Sequence, residues 1–224
     1  MKQERIAYMQ NCDVCQRNKS EHVPYPRLLQ PIPVPKRAWL HISMDFIEKL
    51  PKSQGYDTIL VVIDRFTKFG HFIRLTHPFT AKSAAQVFLD HVYRLHGLPE
   101  SINTDIDKVF TSVFWRELFK VMGVELNYSS SYHPQIDGQG ERLNQCVESY
   151  LRCMTGELPS QWSKWLSLAE WWYNSTYHSS LDMTPFEALY GYKPIPLPLG
   201  PYMDSMVPAV TNMVQEEEQN LKLH

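Results

Sequence analysis

Three acidic residues have the chemical type and the spacing that phosphodiester chemistry with two metal ions requires. Asp45 lies in ISMDFIEKLP, Asp105 in INTDIDKVFTS and Glu141 in HPQIDGQGERLN, and 35 residues (106–140) separate the last two. Mg²⁺ prefers hard oxygen ligands and is commonly held by a few carboxylates together with phosphates and waters. Two such ions about 4 Å apart activate an attacking oxygen and stabilise a leaving oxygen. Asp45, on an apparent central strand, is the best candidate to bridge both ions.

Spacing alone leaves the identity of the ligands open. The chain contains 24 Asp and Glu residues among 224, so acidic triples also arise by chance. Two rival acids lie near the candidates in sequence. Asp64 ends a predicted strand and could serve a turn or an ion pair, whereas Asp107 could be a solvated loop residue.

The strands that would position these acids follow from the hydrophobic pattern. Apolar and polar residues alternate around Asp45, which predicts a strand with this residue on its more polar face. Two further runs follow closely enough for an antiparallel meander, and Asp105 comes directly after a short strand. The predicted strands are 40–47, 58–63, 70–75, 100–104 and 124–129.

Helical spacing, capping residues and glycine stops predict the helices. Thr184, Pro185 and Glu187 form a capping box with proline at the first helical position. The string HPQIDGQG (133–140) predicts a loop, either a mobile lid over the site or an ordinary surface turn, after which Glu141 opens a helix. The resulting fold class is α/β: a ribonuclease-H-like fold with a five-stranded mixed sheet flanked by helices. The other predicted helices lie at about 80–97, 114–123, 161–177 and 184–191.

Composition narrows the class of partner and compartment. The formal net charge is −2 and the pI about 6.5, so no overall basic field indicates nucleic acid, although a local basic stripe can be hidden in such an average. The sequence has no run of 18 apolar residues and no signal peptide, so we expect no membrane partner. The 4 cysteines do not form a secreted disulfide framework, which favours a reducing, intracellular compartment.

Four long motifs resemble the integrases of gypsy-type LTR retrotransposons. They are MDFIEKLP, YDTILVVIDRFTKFGHFIRL, HPQIDGQGERLNQ and NSTYHSSLDMTPFEALYGYKP, and the resemblance runs from about residue 8 to about residue 200. It implies a retroviral-type integrase catalytic core in which Asp45, Asp105 and Glu141 are the catalytic residues and hold two Mg²⁺ or Mn²⁺ ions. The implied reaction processes the element's DNA ends and joins their 3′-hydroxyls to target-DNA phosphates.

The resemblance also implies partners and a location. The partners are retroelement DNA, target DNA and further copies of the chain in a homo-oligomer. The implied location is nuclear, because the reaction acts on chromosomal DNA, with a cytoplasmic stage before import. Gln135, Gln139, Arg142 and Asn144 are candidate phosphate or base-edge contacts, although exposed polar residues of this kind are also commonly just solvated.

The domain limits come from the same resemblance. Residues 1–20 are expected to be the remnant of a His-His-Cys-Cys zinc module, 21–37 a Pro-rich linker, and 38–193 the catalytic core. Residues 194–224 are expected to be an extension that stops before a C-terminal DNA-binding domain. Tetrahedral zinc needs four ligands, and the two histidines are expected upstream of the chain. Cys12 and Cys15 therefore form an incomplete site without stable Zn²⁺ or, alternatively, two free thiols.

Two departures from the family pattern supply the alternative function. Ile106 stands where such integrases usually have an arginine, and Gly140 stands where a threonine is common. Neither change removes a metal ligand. They favour the alternative that the chain is a non-catalytic or decayed integrase-derived protein that binds nucleic acid or other partners. A nuclease of the same fold that hydrolyses DNA without strand transfer is a third reading.

Overall fold

Five strands form a mixed sheet. The computed structural model describes residues 11–12, 36–104, 110–128 and 134–195, and for 134–141 it describes the helical backbone only. The strand order is β3-β2-β1-β4-β5, so β1 is central. This confirms the predicted five-stranded mixed sheet. The strands are β1 His41–Ile47, β2 Thr58–Asp64, β3 Gly70–Leu75, β4 Ser101–Thr104 and β5 Glu125–Tyr128.

The sheet combines an antiparallel meander with two parallel strands. β1, β2 and β3 pair antiparallel in chain order, as predicted, with Asp45 opposite Val61. β4 lies parallel to β1 on its other side, and β5 lies parallel to β4. The pairing of β4 ends with Thr104 opposite Met44, the residue before Asp45. The parallel strands therefore end beside the candidate ligand on β1.

Helices cover both faces of the sheet. A π-helical turn, Leu89–Tyr93, joins α1 to α2, and Gly97 ends this helical segment with a φ of 80°. No helix in the described parts of the chain is long and apolar enough to cross a membrane. The helices are α1 Ala81–Phe88, α2 Arg94–His96, α3 Val113–Val121, α4 Pro134–Thr155, α5 Trp162–Ser175 and α6 Pro185–Tyr190, with a 3₁₀ turn at Pro159–Gln161.

The start of α4 corrects one prediction. The segment 134–140 is not a loop, because α4 begins at Pro134 and continues to Thr155. Proline at the first helical position has its φ already set for a helix. Each of the two glycines, Gly138 and Gly140, costs about 1 kcal/mol relative to alanine, but packing of the rest of a helix commonly outweighs such a cost. Only residue 133 of the predicted loop lies outside the described residues.

The alternation of side chains along the strands creates two cores. One face of the sheet, with Ile42 and Met44 of β1, packs against α1 and α3. The other face, with Ile47 of β1 and Val61 of β2, packs against α4 and α5. Asp45 shares the side of Ile47, because successive strand residues point to opposite faces. The helix nearest to the Asp45 carboxylate is therefore α4, whose Leu143, Val147 and Leu151 are buried on the sheet.

Polar side chains of α5 cover the edge strand β3. Glu170 Oε2 accepts the backbone N–H of Phe72 at 2.7 Å. The Asn174 side chain accepts the N–H of Gly70 at 2.8 Å and donates to its carbonyl at 2.9 Å. An uncovered edge strand presents unpaired backbone groups to other chains. A Cβ at position 70 would lie 2.6 Å from Ile63 Cδ1, so a larger residue there would force the Ile63 side chain to shift.

The cap of α6 matches the sequence prediction, and α1 begins with a cap of the same kind. Thr80 caps α1 in a reciprocal box with Ser83. Thr184 and Glu187 form the predicted box at the start of α6, with Pro185 at its first position and Gly191 in the left-handed conformation at its end. Most of the predicted linker 21–37 and extension 194–224 lies outside the described residues, so the domain limits stay predictions.

Candidate active site

Asp45 is the one member of the predicted Asp45, Asp105 and Glu141 triad whose side chain the structure describes. It is half-buried on the central strand. Its Oδ1 accepts the backbone N–H of Phe46 at 2.8 Å, and its Oδ2 accepts a hydrogen bond from Asn144 Nδ2 at 2.7 Å. The carboxylate is thus oriented by a donor on its own strand and by a donor on α4.

Asn144 connects α4 to this carboxylate. Its amide nitrogen must face Asp45, because an ionised carboxylate only accepts hydrogen bonds. Its Oδ1 is buried and has no hydrogen-bond partner among the described residues. Sequence reasoning placed Asn144 among the DNA contacts, whereas the structure directs its amide to Asp45. The available signal was its position three residues after Glu141, which is one helical turn.

The surroundings of Asp105 are ordered on both sides of it. Thr104 precedes it at the end of β4. Phe110, which is fully buried, stacks on Phe46 with ring centroids 4.8 Å apart. Tyr128 of β5 donates its hydroxyl to the Phe110 carbonyl at 3.0 Å. Asp105 itself, with Asp107, lies outside the described residues.

The structure describes the predicted ligand Glu141 and the predicted DNA contacts on α4 only in part. Glu141 lies within α4, three positions before Asn144, and its side chain is not described. Gln135 and Gln139 also lie within α4 and are described by their backbone alone. Arg142 is exposed on the same helix. The structure therefore brings Asp45 and Asn144 together, and the complete triad stays a prediction.

Asp64, the rival acid on β2, is a turn residue. It is fully buried. Its Oδ1 accepts the N–H groups of Trp39 at 2.9 Å and Phe66 at 3.4 Å. Its Oδ2 accepts the N–H of Thr67 at 2.9 Å and the hydroxyl of Thr67 at 2.6 Å. Four donors occupy this carboxylate, so it organises the β2–β3 turn.

The donor chemistry around Asp45 fits Mg²⁺ or Mn²⁺. The half-buried Asp45 carboxylate is a hard oxygen donor of the kind that these ions prefer. Among the described side chains no group of three His, Cys, Asp or Glu could hold a metal ion; Asp105 and the side chain of Glu141 are not among them. Cys12 is half-buried without a disulfide, and Cys15 lies outside the described residues. The incomplete zinc site therefore stays a prediction.

A separate cluster of titratable groups lies at the β3 edge. His71 Nε2 and His96 Nε2 are 2.9 Å apart, so one imidazole donates to the other. His71 Nδ1 is 3.2 Å from Glu170 Oε1. The His96 ring stacks on Trp39 with centroids 3.7 Å apart and planes 5° apart. Burial, reinforced by the nearby His71, lowers the pKa of His96 to about 4.

Similar proteins of known sequence are transposon polyproteins. No family model matches the chain. The Transposon Tf2-3 and Tf2-4 polyproteins of Schizosaccharomyces pombe (strain 972 / ATCC 24843) are each 43% identical to it over 193 residues. The matched part is 86% of this chain and 14% of each polyprotein, so the chain spans a small fraction of its relatives' length.

Similar solved structures are retroviral integrases. A simian T-cell lymphotropic virus intasome in complex with PP2A regulatory subunit B56 gamma matches with a TM-score of 0.60 and 18% identity, over 92% of this chain and 73% of that one. The HTLV-2 integrase catalytic core in complex with magnesium, in a trimeric form, matches with a TM-score of 0.54 and 19% identity, over 68% and 97%. The catalytic core of BIV integrase has a TM-score of 0.52 and 21% identity, over 66% and 92%.

The fold defines the class of protein first. The mixed sheet and its flanking helices are those of a retroviral-type integrase catalytic core, which has the ribonuclease-H-like fold. The sequence identity then gives the narrower statement. The chain belongs to the family of the Tf2 transposon polyproteins, and gypsy-type ancestry is consistent with this. The family and fold predictions are therefore confirmed.

Proposed function

We propose that this chain acts as the catalytic core that processes retroelement DNA ends and joins them to target DNA. The observation that carries the proposal is the Asp45 carboxylate, fixed on the central strand of an integrase fold by donors from β1 and α4. The transposon relatives support the choice of substrate class. The magnesium in the HTLV-2 integrase core supports the choice of metal.

The register of the parallel strands supports Asp105 as the second ligand. Met44 and Thr104 are partners in the last described pair of β1 and β4. The next residue in the sequence after each of them is an aspartate, and paired residues at the same register of a sheet point to the same face. The anchoring of Phe110 against Phe46 limits how far the five intervening residues (105–109) can carry the chain away.

Helix periodicity supports Glu141 as the third ligand. Residues three apart lie on neighbouring positions of one helix face, and Asn144 of α4 already contacts Asp45. Position 141 is therefore one turn nearer the N-terminus on the side of α4 that meets the β1 carboxylate. The predicted ligand set then comes from β1, from the segment after β4 and from α4.

The chemistry of the proposed reaction needs few protein groups. Metal ions held by the carboxylates would supply charge stabilisation for in-line displacement at phosphorus. The carboxylates bind and orient the metal, and the attacking group is the 3′-hydroxyl of the DNA end, or a water in end processing. No covalent enzyme intermediate is required. Arg142, exposed on α4, is suited to a phosphate contact. Gln135 and Gln139, on the same helix, are also proposed to contact DNA.

The proposal extends to assembly and location. The HTLV-2 core has been solved in trimeric and dimeric forms, and the simian virus neighbour is an intasome. We propose that this chain forms a homo-oligomer that binds retroelement DNA and target DNA. Because chromosomal DNA is the target, the chain would act in the nucleus.

Strand transfer of a labelled DNA end tests the proposed function. The chain is incubated with Mg²⁺ or Mn²⁺ and a duplex that carries the element's terminal sequence. Joined product is expected from the natural chain, and at least about a 100-fold loss from Glu141→Gln, because the substitution removes a charged ligand. The matched control is Glu148→Gln, also on α4, whose carboxylate pairs with Arg152 on the surface.

Three results would count against the proposal. Absence of product from the natural chain with both metals would reject the enzyme assignment in favour of a non-catalytic binding protein. Cleavage without joining would indicate a nuclease. Equal activity of Glu141→Gln and Glu148→Gln would reject Glu141 as a ligand.

A further inference from the structure

We infer that Asn144 is a positioning residue, whose amide sets the Asp45 carboxylate in the orientation that binds metal before the metal arrives. The inference rests on the proposed function and deepens it. It assigns a role to a side chain that would not itself bind the ion. Two observations support this role: the hydrogen bond from Asn144 to Asp45, and the buried, unsatisfied oxygen of the same amide.

The carboxylate is fixed at both of its oxygens. The Phe46 N–H, part of the β1 backbone, holds Oδ1 at 2.8 Å. Asn144 Nδ2 holds Oδ2 at 2.7 Å, from a position 99 residues later in sequence. With one donor on each oxygen, rotation about the Cβ–Cγ bond would break both contacts. Asp45 thus loses its rotational freedom in the folded protein and not when metal binds.

A neutral donor suits this role better than a charged one. A lysine or arginine at position 144 would also hold the carboxylate, but its positive charge would repel an incoming divalent cation. The carboxamide donates one N–H and leaves the carboxylate's negative charge in place. Hydrogen bonds from outer groups of this kind orient metal ligands and influence metal affinity.

The Asn144 oxygen gives the second observation. A buried acceptor without a partner is unfavourable, and α4 keeps Oδ1 in that state among the described residues. Such an atom indicates that an O–H or N–H donor completes the site when it is loaded. A hydrated metal ion and a DNA end both carry O–H donors, so binding of the metal alone and of metal with DNA must be measured separately.

Metal binding, measured without catalysis, tests the inference. Mn²⁺ is titrated into the full chain and followed by water-proton relaxation, with and without the DNA end. Asn144→Leu keeps the branched arrangement of heavy atoms and removes the amide, and we expect about 10-fold weaker Mn²⁺ binding. Gln145→Leu, which also replaces a carboxamide by leucine but at the next, exposed position of α4, is expected to bind as the natural chain does.

A conservative variant separates positioning from packing. Asn144→Gln retains the carboxamide one methylene further out, and we expect affinity between that of the natural chain and Asn144→Leu. Thermal unfolding of each metal-free variant shows whether it folds. A purely structural bond would lower the melting temperature and leave the affinity of the folded protein unchanged, which would overturn the inference.

The controls distinguish this inference from the proposed function. If Asp45→Asn binds Mn²⁺ as tightly as the natural chain, the metal site itself is wrong. If Asp45→Asn abolishes binding but Asn144→Leu does not weaken it, the site stands and the role of Asn144 is wrong. If the loss of Mn²⁺ affinity in Asn144→Leu is larger with DNA than without it, the donor to Asn144 Oδ1 is part of the DNA. If the loss of affinity is the same with and without DNA, the donor to Asn144 Oδ1 is part of the hydrated ion.

Discussion

Two aspartates with similar sequence settings have opposite roles at the residue scale. Asp45 and Asp64 both lie in strands of the same antiparallel pair. Asp64 is enclosed by four donors from Trp39, Phe66 and Thr67, whereas Asp45 is half-buried and held by two identified donors from Phe46 and Asn144. Full enclosure serves the fold, and partial exposure keeps a carboxylate accessible to an ion.

This contrast predicts opposite results for one substitution. Asp64→Ala should lower the free energy of unfolding by about 3 kcal/mol, because buried N–H groups of the β2–β3 turn lose a charged acceptor. Asp45→Ala should cost at most about 1 kcal/mol, since its carboxylate is not fully enclosed. Urea unfolding of the metal-free variants, followed by circular dichroism, measures both values. A larger loss for Asp45→Ala than for Asp64→Ala would contradict the turn assignment.

The sequence identified Asp45 correctly as a polar-face residue of a central strand but not its partner. Alternation of residue types is a local signal, and it is sufficient to place a carboxylate on a face. The bond from Asn144 depends on how α4 docks on the sheet, across 99 residues of sequence. The turn role of Asp64 likewise depends on the Trp39 N–H, 25 residues earlier. No local pattern encodes either contact.

At the scale of elements, local sequence predicts the helix caps but does not predict where α4 begins. The capping boxes at Thr80 and Thr184 depend on residues three apart, so they follow from local sequence. The start of α4 at Pro134 does not, because glycines at 138 and 140 are unfavourable in isolated helices. The buried residues of α4, Leu143 and Val147 among them, hold the helix against the sheet. Tertiary packing can therefore extend this helix where propensity predicts a loop.

The edge of the sheet gives an element-scale prediction. Asn174→Leu should lower the free energy of unfolding by about 2 to 3 kcal/mol, because it leaves the Gly70 N–H and carbonyl unsatisfied. It should also promote self-association, since β3 would present unpaired backbone groups. Urea unfolding and sedimentation velocity measure the two effects. Ser167→Leu, at an exposed position of α5, is the control, and equal behaviour of the two variants would contradict the role of Asn174.

For the molecule as a whole, the family and the fold could be predicted because long motifs and strand patterns are properties of contiguous sequence. The complete site could not, because its proposed ligands come from β1, from the segment after β4 and from α4. Thr104 and Phe110, which precede and follow Asp105 in the sequence, both lie beside β1. The spacing of the acidic residues does not predict these positions. The proposed function therefore depends on docking of α4 against the sheet as much as on the three acids.

The histidine pair at the β3 edge predicts how the stability of the whole molecule depends on pH. The pKa of His96 is about 4 in the folded protein, lowered by burial and by His71, and near 6.5 in the unfolded chain. Between these values the unfolded chain binds more protons, so stability rises with pH. The contribution of His96 is therefore complete above about pH 6.5 and is lost as the pH falls towards 4.

A variant without the titrating ring isolates this contribution from the other acids and histidines. His96→Phe keeps an aromatic ring beside Trp39 and removes both the proton site and the bond to His71. The melting temperature of the natural chain should fall more steeply than that of His96→Phe between pH 6.5 and 4, and the two slopes should agree from pH 7 to 8. Thermal unfolding monitored by circular dichroism at half-unit steps of pH measures both slopes. Parallel curves across the acid range would show that His96 titrates normally, and that its contacts with Trp39 and His71 do not exclude a proton.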